Sequence, residues 1–182
     1  MSRLSRLSTV DPDTAAPAAK RLLDQVQRAL GVTPNMMRAM ATSPAVLDAY
    51  LSFGAALAKG HLSAAVREQI ALVTAVENSC EYCYAAHHVL GAKAGVDATD
   101  LAAGGHARAS DPKVAAALRF ARAVIRDRGF VSDEELDAVR AAGYGDGEIG
   151  EIIGSVALNT FTNYFNSVGR TEVDFPPVPL PK

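Results

Sequence analysis

The chain restarts a helix again and again with the same few residues. Thr33-Pro34, Ser43-Pro44 and Asp111-Pro112 each set a capping side chain before a proline. That order opens a helix, because proline at the first helical position lacks only an N–H that no carbonyl would have received. Ser63 is a further cap, and Ser132-Asp133-Glu134-Glu135 is a capping box. Gly31, Gly60, Gly129 and Gly143 stand where the helices opened in this way should stop. No convincing alternating strand run competes with these signals, so the predicted fold class is all-α.

The predicted helices follow in order. Asp11-Pro12-Asp13 ends an arm of residues 1–13 that includes Arg3 and Arg6, and a helix should run from about Thr14 to Leu30 on the stripe Leu22, Leu23, Val26 and Leu30. A short helix through Met36, Met37 and Met40 comes next, then one from Ser43 to about Lys59. The helix capped by Ser63 carries Arg67, Glu68, Ile70, Leu72, Val73 and Val76, and one more starts near Cys80 and reaches about Gly95. Asp97 to Ala103, Asp111 to Gly129, Ser132 to Gly143 and Asp146 to about Val168 complete the set. Ser43-Pro44-Ala45-Val46 with Gly60-His61-Leu62-Ser63 echoes Asp111-Pro112-Lys113-Val114 with Gly129-Phe130-Val131-Ser132, a weakly duplicated helical hairpin. Residues 171–182, with four prolines, should lie extended, and Val173, Phe175, Val178 and Leu180 predict that this tail packs on a neighbour. The 182 residues are read as a single domain with an arm and a tail.

Both cysteines fall in Cys80-Glu81-Tyr82-Cys83-Tyr84-Ala85-Ala86-His87. At about 100° per residue, with Cys80 at 0°, Cys83 lies at about 300° and His87 at about 340°, so all three share one face. Two thiols on one turn can close a disulfide, a helix N-terminus favours thiolate, and an imidazole at i+4 can move a proton. Four readings stand: a redox pair, a zinc site, a structural disulfide, or two packed thiols. Structural zinc usually takes four ligands, and only His61, His87, His88 and His106 are available beyond the cysteines. A permanent disulfide here would close almost no loop. The redox reading is favoured, and no metal is expected.

By the same count Tyr84, at about 40°, lies beside the cysteines as a substrate-binding candidate, Tyr82, at about 200°, points away, and His88 flanks the cluster. Glu68 and Glu77 are about 180° apart on their helix, so only one can face the cysteines. Glu68 precedes Ile70-Ala71-Leu72-Val73 and is the better candidate for a partly buried acid. Asn159, Asn163 and Asn166 form a polar stripe that either serves the site, meets a subunit boundary or faces solvent.

Arg67-Glu68-Gln69-Ile70 followed by Glu77-Asn78-Ser79-Cys80-Glu81-Tyr82-Cys83-Tyr84-Ala85-Ala86-His87 resembles the core of the AhpD-like alkylhydroperoxidases of the carboxymuconolactone decarboxylase superfamily. The shared pattern is a Glu twelve residues before a CxxC and a His four residues after its second Cys. The resemblance implies an AhpD-like helical domain and thiol peroxidase chemistry: Cys83 attacks the peroxide, Cys80 resolves it, and Glu68 with His87 relays protons. It also implies a homo-oligomer and a dithiol or redox-protein electron donor. One branch of the family carries a further relay His at the position that is Tyr82 here, which leaves this relay shorter.

Composition bounds the rest. The net charge is −2 without a basic stripe, so nucleic acid is not an expected partner. No apolar run approaches the length of a membrane span, which predicts a cytoplasmic protein, a compartment where CxxC serves catalysis more often than structure. No phosphate-binding glycine motif is present, and no cofactor is expected. The expected function is a thiol-dependent peroxidase or disulfide oxidoreductase. A disulfide shuttle or redox sensor for a partner protein, and a carboxymuconolactone-type decarboxylase, are its rivals.

Overall fold

The computed structural model describes residues 5–181; Arg3 and the last residue of the tail lie outside the described residues. Among these, nine helices and no strand are present: α1 Pro17–Leu30, α2 Asn35–Met40, α3 Pro44–Leu57, α4 Ala64–Glu77, α5 Glu81–Lys93, α6 Ala98–Gly104, α7 Pro112–Arg126, α8 Asp133–Ala141 and α9 Asp146–Gly169. The all-α expectation holds.

α4 is the centre. Its residues from Gln69 to Ala75 are all buried, and it packs against α5, α6, α7 and α9. Leu72 and Ala75, three residues apart, enter one apolar cluster with α1, α2 and α5, whereas Ile70 and Val73 enter a second with α7, α8 and α9. A helix apolar on every side can only be stable in such a position. Its one buried hydroxyl, on Thr74, is satisfied internally by the Ile70 carbonyl at 2.7 Å.

Local capping chemistry sets most boundaries. Ser63 Oγ accepts from the Val66 N–H, Asp97 from Asp100, Asp111 from Lys113, and Ser132 and Glu135 form the reciprocal capping box. Three starts differ from the sequence reading, and at α3 Ser43 holds the N-cap position without a side-chain cap bond. α1 begins at Pro17 rather than Thr14, because the residue before a proline is driven out of the helical region, and Ala16 sits at ψ 151°. Asp11 closes a turn instead, accepting from the Asp13 N–H at 3.0 Å. At α2, Thr33 donates to Gln27 and caps nothing, while the first free N–H, on Asn35, is taken by Asp174 from the tail at 2.7 Å.

The duplicated hairpin appears in element spacing but not in packing. α7 and α8 lie against each other, whereas α3 buries only Leu47 and packs on α1, α2 and α9. The tail also departs from expectation: Phe175, Val178 and Leu180 pack against the chain's own first cluster. Its end reaches Gly105, where an added Cβ would stand 2.9 Å from Val76 Cγ2 and 3.3 Å from both Pro181 and Tyr84. Two of these neighbours are rings held by packing, so Gly105→Ala should destabilise the fold by about 1–3 kcal/mol, as overpacked sites do. Urea unfolding with an unchanged midpoint would contradict this close packing.

Candidate functional site

The turn between α4 and α5 is three residues long. Ser79 takes a left-handed conformation (φ 53°), Cys80 N donates to Ala75 O at 2.8 Å, and Asn78 Nδ2 donates to Asn163 Oδ1 at 3.0 Å. These contacts fix where α5 begins. Cys80 is its N-cap, outside the helix at φ −96° and ψ 95°, and its sulfur accepts from the Cys83 N–H at 3.4 Å. Cys83 lies inside the first turn. Both are free thiols, 3% and 2% exposed.

The structure brings Glu68, Cys83 and His87 together. Glu68 Oε2 lies 2.7 Å from His87 Nδ1, and the bond joins α4 to α5 with both side chains largely covered. Glu77 faces elsewhere, in a two-bond ion pair with Arg126 at 2.8 and 2.9 Å. Burial opposes a charge on His87, but the Glu68 carboxylate outweighs it and raises the imidazole above its usual range. Nδ1 carries the proton that Glu68 accepts, which leaves Nε2 as the nitrogen able to give or receive another.

The two thiols are driven apart in acidity. A hydrogen bond from Cys80 is the largest influence lowering Cys83; burial opposes it, and His87, Asn166 and Asn163 add to it. The same bond raises Cys80, and burial raises it further. Position at the helix start would have singled out Cys80 as the more acidic thiol. The donors around Cys83 reverse that order.

α9 supplies the rest of the sulfur's surroundings. Asn159, Asn163 and Asn166 are 8%, 0% and 3% exposed, so this stripe neither meets solvent nor lines a subunit boundary. Asn166 Nδ2 donates to Cys83 Sγ at 3.2 Å and to Met36 Sδ at 3.1 Å, and Thr162 Oγ1 lies 3.9 Å from Cys83. Periodicity marked the stripe, but only packing shows which way it faces.

Cys83 and His87 open onto a cavity between α1, α2, α3, α5, α9 and the tail. Leu30, Val32, Met36, Val89, Leu90 and Phe175 make most of it apolar, with Tyr50, Tyr82 and Thr162 as polar points. Tyr84 does not line it. That ring is 3% exposed, packed edge-on to His88 with centroids 4.6 Å apart. The angular count failed because it began at Cys80, which is not helical. Counted from Cys83, Tyr82 and Tyr84 stand about 100° to either side, and the cavity lies on the side of Tyr82, Ala86 and Lys93. Tyr50 and Phe175 went unread, since nothing local ties α3 or the tail to the cysteines. Among the described residues no three His, Cys, Asp or Glu side chains gather as a metal site, and no helix is long and apolar enough to cross a membrane.

Residues 44–127, which contain the whole Glu68, CxxC and His87 arrangement, match the family model described as the carboxymuconolactone decarboxylase family. The match spans less than half of the chain, which is similar to this family over those residues. The AhpD-like fold extends over nearly the whole chain. A peroxidase-related protein from Ralstonia eutropha JMP134, described as an alkylhydroperoxidase AhpD core, superposes with a TM-score of 0.86 at 22% identity, covering 96% of this chain and 94% of that one. A peroxidase-related protein from Silicibacter sp. TM1040 gives 0.79 at 22% identity over 94% of each chain. The debrominase Bmp8, in complex with 2,3,4-tribromopyrrole, gives 0.82 at 19% identity over 96% of this chain and 94% of its own. No curated protein sequence matches the chain.

Proposed function

We propose that the protein is a thiol-dependent hydroperoxidase. The observation that carries this reading is the placement of Cys83: its thiol is lowered, is joined by Glu68 and His87, and is 2% exposed yet lines an apolar cavity. A sulfur only 2% exposed, at the wall of an apolar cavity, suits a small substrate better than the disulfide of a folded partner, which argues against a shuttle. An intact thiol pair with its proton relay likewise argues against a decarboxylase.

The chemistry balances on these groups. Cys83 thiolate attacks the distal oxygen of a hydroperoxide, the O–O bond breaks, and the alkoxide leaves as an alcohol with a proton from His87. Cys83 is then a sulfenic acid. Cys80 sulfur attacks it, the S–S bond forms, and the hydroxyl leaves as water with the remaining proton. A small dithiol that reaches the pair through the cavity returns both thiols and is itself oxidised.

Peroxide treatment of the reduced protein should therefore yield an intramolecular Cys80–Cys83 disulfide, a loss of two hydrogens by mass spectrometry, reversed by dithiothreitol. A stable sulfinic acid on Cys83 beside a free Cys80 would remove Cys80 from the resolving role. A second reading draws support from the fold shared with Bmp8: reductive debromination, in which an aryl C–Br bond becomes C–H, bromide leaves, and the same two thiols become the disulfide. Bromide release from a bromopyrrole, with no peroxide consumed under dithiol turnover, would favour that reading.

A further inference from the structure

The tail brings two residues to the rim of the cavity. Asp174 Oδ1 accepts from the Tyr82 hydroxyl at 2.8 Å, and its Oδ2 accepts from the Asn35 N–H at 2.7 Å. Asn35 Nδ2 returns a bond to Glu172 O at 3.1 Å. The Tyr82 hydroxyl in turn accepts from Met36 N at 3.2 Å, and Met36 shares with Cys83 the amide of Asn166. One carboxylate thus ties the tail to the start of α2 and to Tyr82, one of the two residues between the cysteines. Hydrogen bonds to a carboxylate are among the stronger ones, which suits a latch at an exposed position.

Phe175 follows Asp174 and is presented by it. Its ring stands edge-on to Tyr82, centroids 5.6 Å apart at 89°, and forms cavity wall on the side of the tail. Pro176 and Pro177 hold the chain beyond it extended, so less conformational freedom is lost when the ring is fixed in place. The wall that Phe175 completes, with Val32, Met36 and Val89, offers hydrogen peroxide no hydrogen bond. An apolar body attached to a hydroperoxide gains about 25 cal/mol for each Å² it withdraws from water against such a wall.

We propose that Phe175 is a specificity-determining residue and Asp174 its positioning residue, together giving the site a wall that selects hydroperoxides with an apolar body over hydrogen peroxide. The inference rests on the hydroperoxidase reading. Its test is the ratio of kcat/KM for cumene hydroperoxide to kcat/KM for hydrogen peroxide, measured with a small dithiol. Phe175→Ala should lower this ratio about tenfold, the scale on which a lost apolar contact changes discrimination, with the larger part in KM. Phe175→Leu should keep most of it. Asp174→Ala should lower it in the same direction through the displaced ring, and Val173→Ala, on an exposed residue outside the cavity, should keep the wild-type ratio. A general loss of structure would lower both rates by one factor and leave the ratio intact. Wild-type turnover of both peroxides with a ratio indifferent to Phe175→Ala and Asp174→Ala overturns the role of the tail alone. Wild type that consumes neither peroxide overturns the hydroperoxidase reading beneath it.

Discussion

Cys83→Ser should reduce dithiol-supported peroxide consumption to the uncatalysed background, the largest effect expected of any substitution in the chain. A serine hydroxyl at this position is far too weak an acid to be ionised by the groups that lower the Cys83 thiol, and oxygen forms no sulfenic acid. Cys80→Ser should behave differently. Cys83 keeps His87, Asn166 and Asn163 but loses the hydrogen bond from Cys80, the largest influence that lowers it. Without added dithiol its first oxidation should therefore persist at a reduced rate and then halt, because the chain has no other thiol. One equivalent of peroxide is consumed and a sulfenic acid accumulates, detectable as its dimedone adduct. Steady turnover by Cys83→Ser with no turnover by Cys80→Ser would reverse the two roles and return the argument to helix position, which favours the N-cap thiol.

That reversal illustrates what a sequence can carry and what it cannot. Features set by residues within a turn of one another were readable: the caps at Ser63, Asp111 and Ser132, the stops at Gly31 and Gly143, and the opposed phases of Glu68 and Glu77. Periodicity chose Glu68 over Glu77 and set His87 on the face of the cysteines, while their pairing was readable only through the family resemblance. Cys80 broke the count. As an N-cap its backbone is outside the helix, so angles measured from it assigned Tyr84 to the cavity and Tyr82 away from it. Asp174 and Phe175 lie at a separation of 92 residues or more from the α5 and α2 groups they touch, and no local pattern points so far. The start of α1 is a different kind of miss, since Pro17 was in plain view and its effect on Ala16 is local. The asparagine stripe shows the boundary between the two kinds. Spacing alone shows that Asn159, Asn163 and Asn166 share a face, and only the burial of that face against Cys83 decides its use.

Removing the relay acid should have the second-largest effect, and its signature is a shift along the pH axis. In the native site Glu68 accepts from Nδ1 of His87 at 2.7 Å and raises the imidazole against the opposing effect of burial. A charged His87 in turn helps to lower Cys83. Glu68→Gln keeps the shape and removes the charge. Burial then dominates at His87, its pKa falls, the imidazole is neutral at neutral pH, and Cys83 loses a cationic neighbour. Oxidation by peroxide follows the thiolate, so the wild-type rate should rise through a midpoint below the usual thiol value of about 8.5, and the Glu68→Gln midpoint should move upward. At neutral pH the combined loss of thiolate and of proton delivery to the leaving alkoxide should slow oxidation by about 10²-fold, the lower end of what a positioned general acid contributes. Glu77→Gln, which removes only an ion pair with Arg126, should leave both midpoint and rate in place. The same linkage has a stability arm. Because His87 is raised in the folded state, its contribution to stability is fully present below the unfolded value of about 6.5 and is lost as pH rises through the folded value; in Glu68→Gln, where burial dominates, the sign of this pH dependence should reverse. Stopped-flow oxidation across pH, paired with urea midpoints at the same pH values, measures both arms. Superimposable rate profiles for wild type and Glu68→Gln would show that the 2.7 Å contact holds α4 to α5 without carrying a proton.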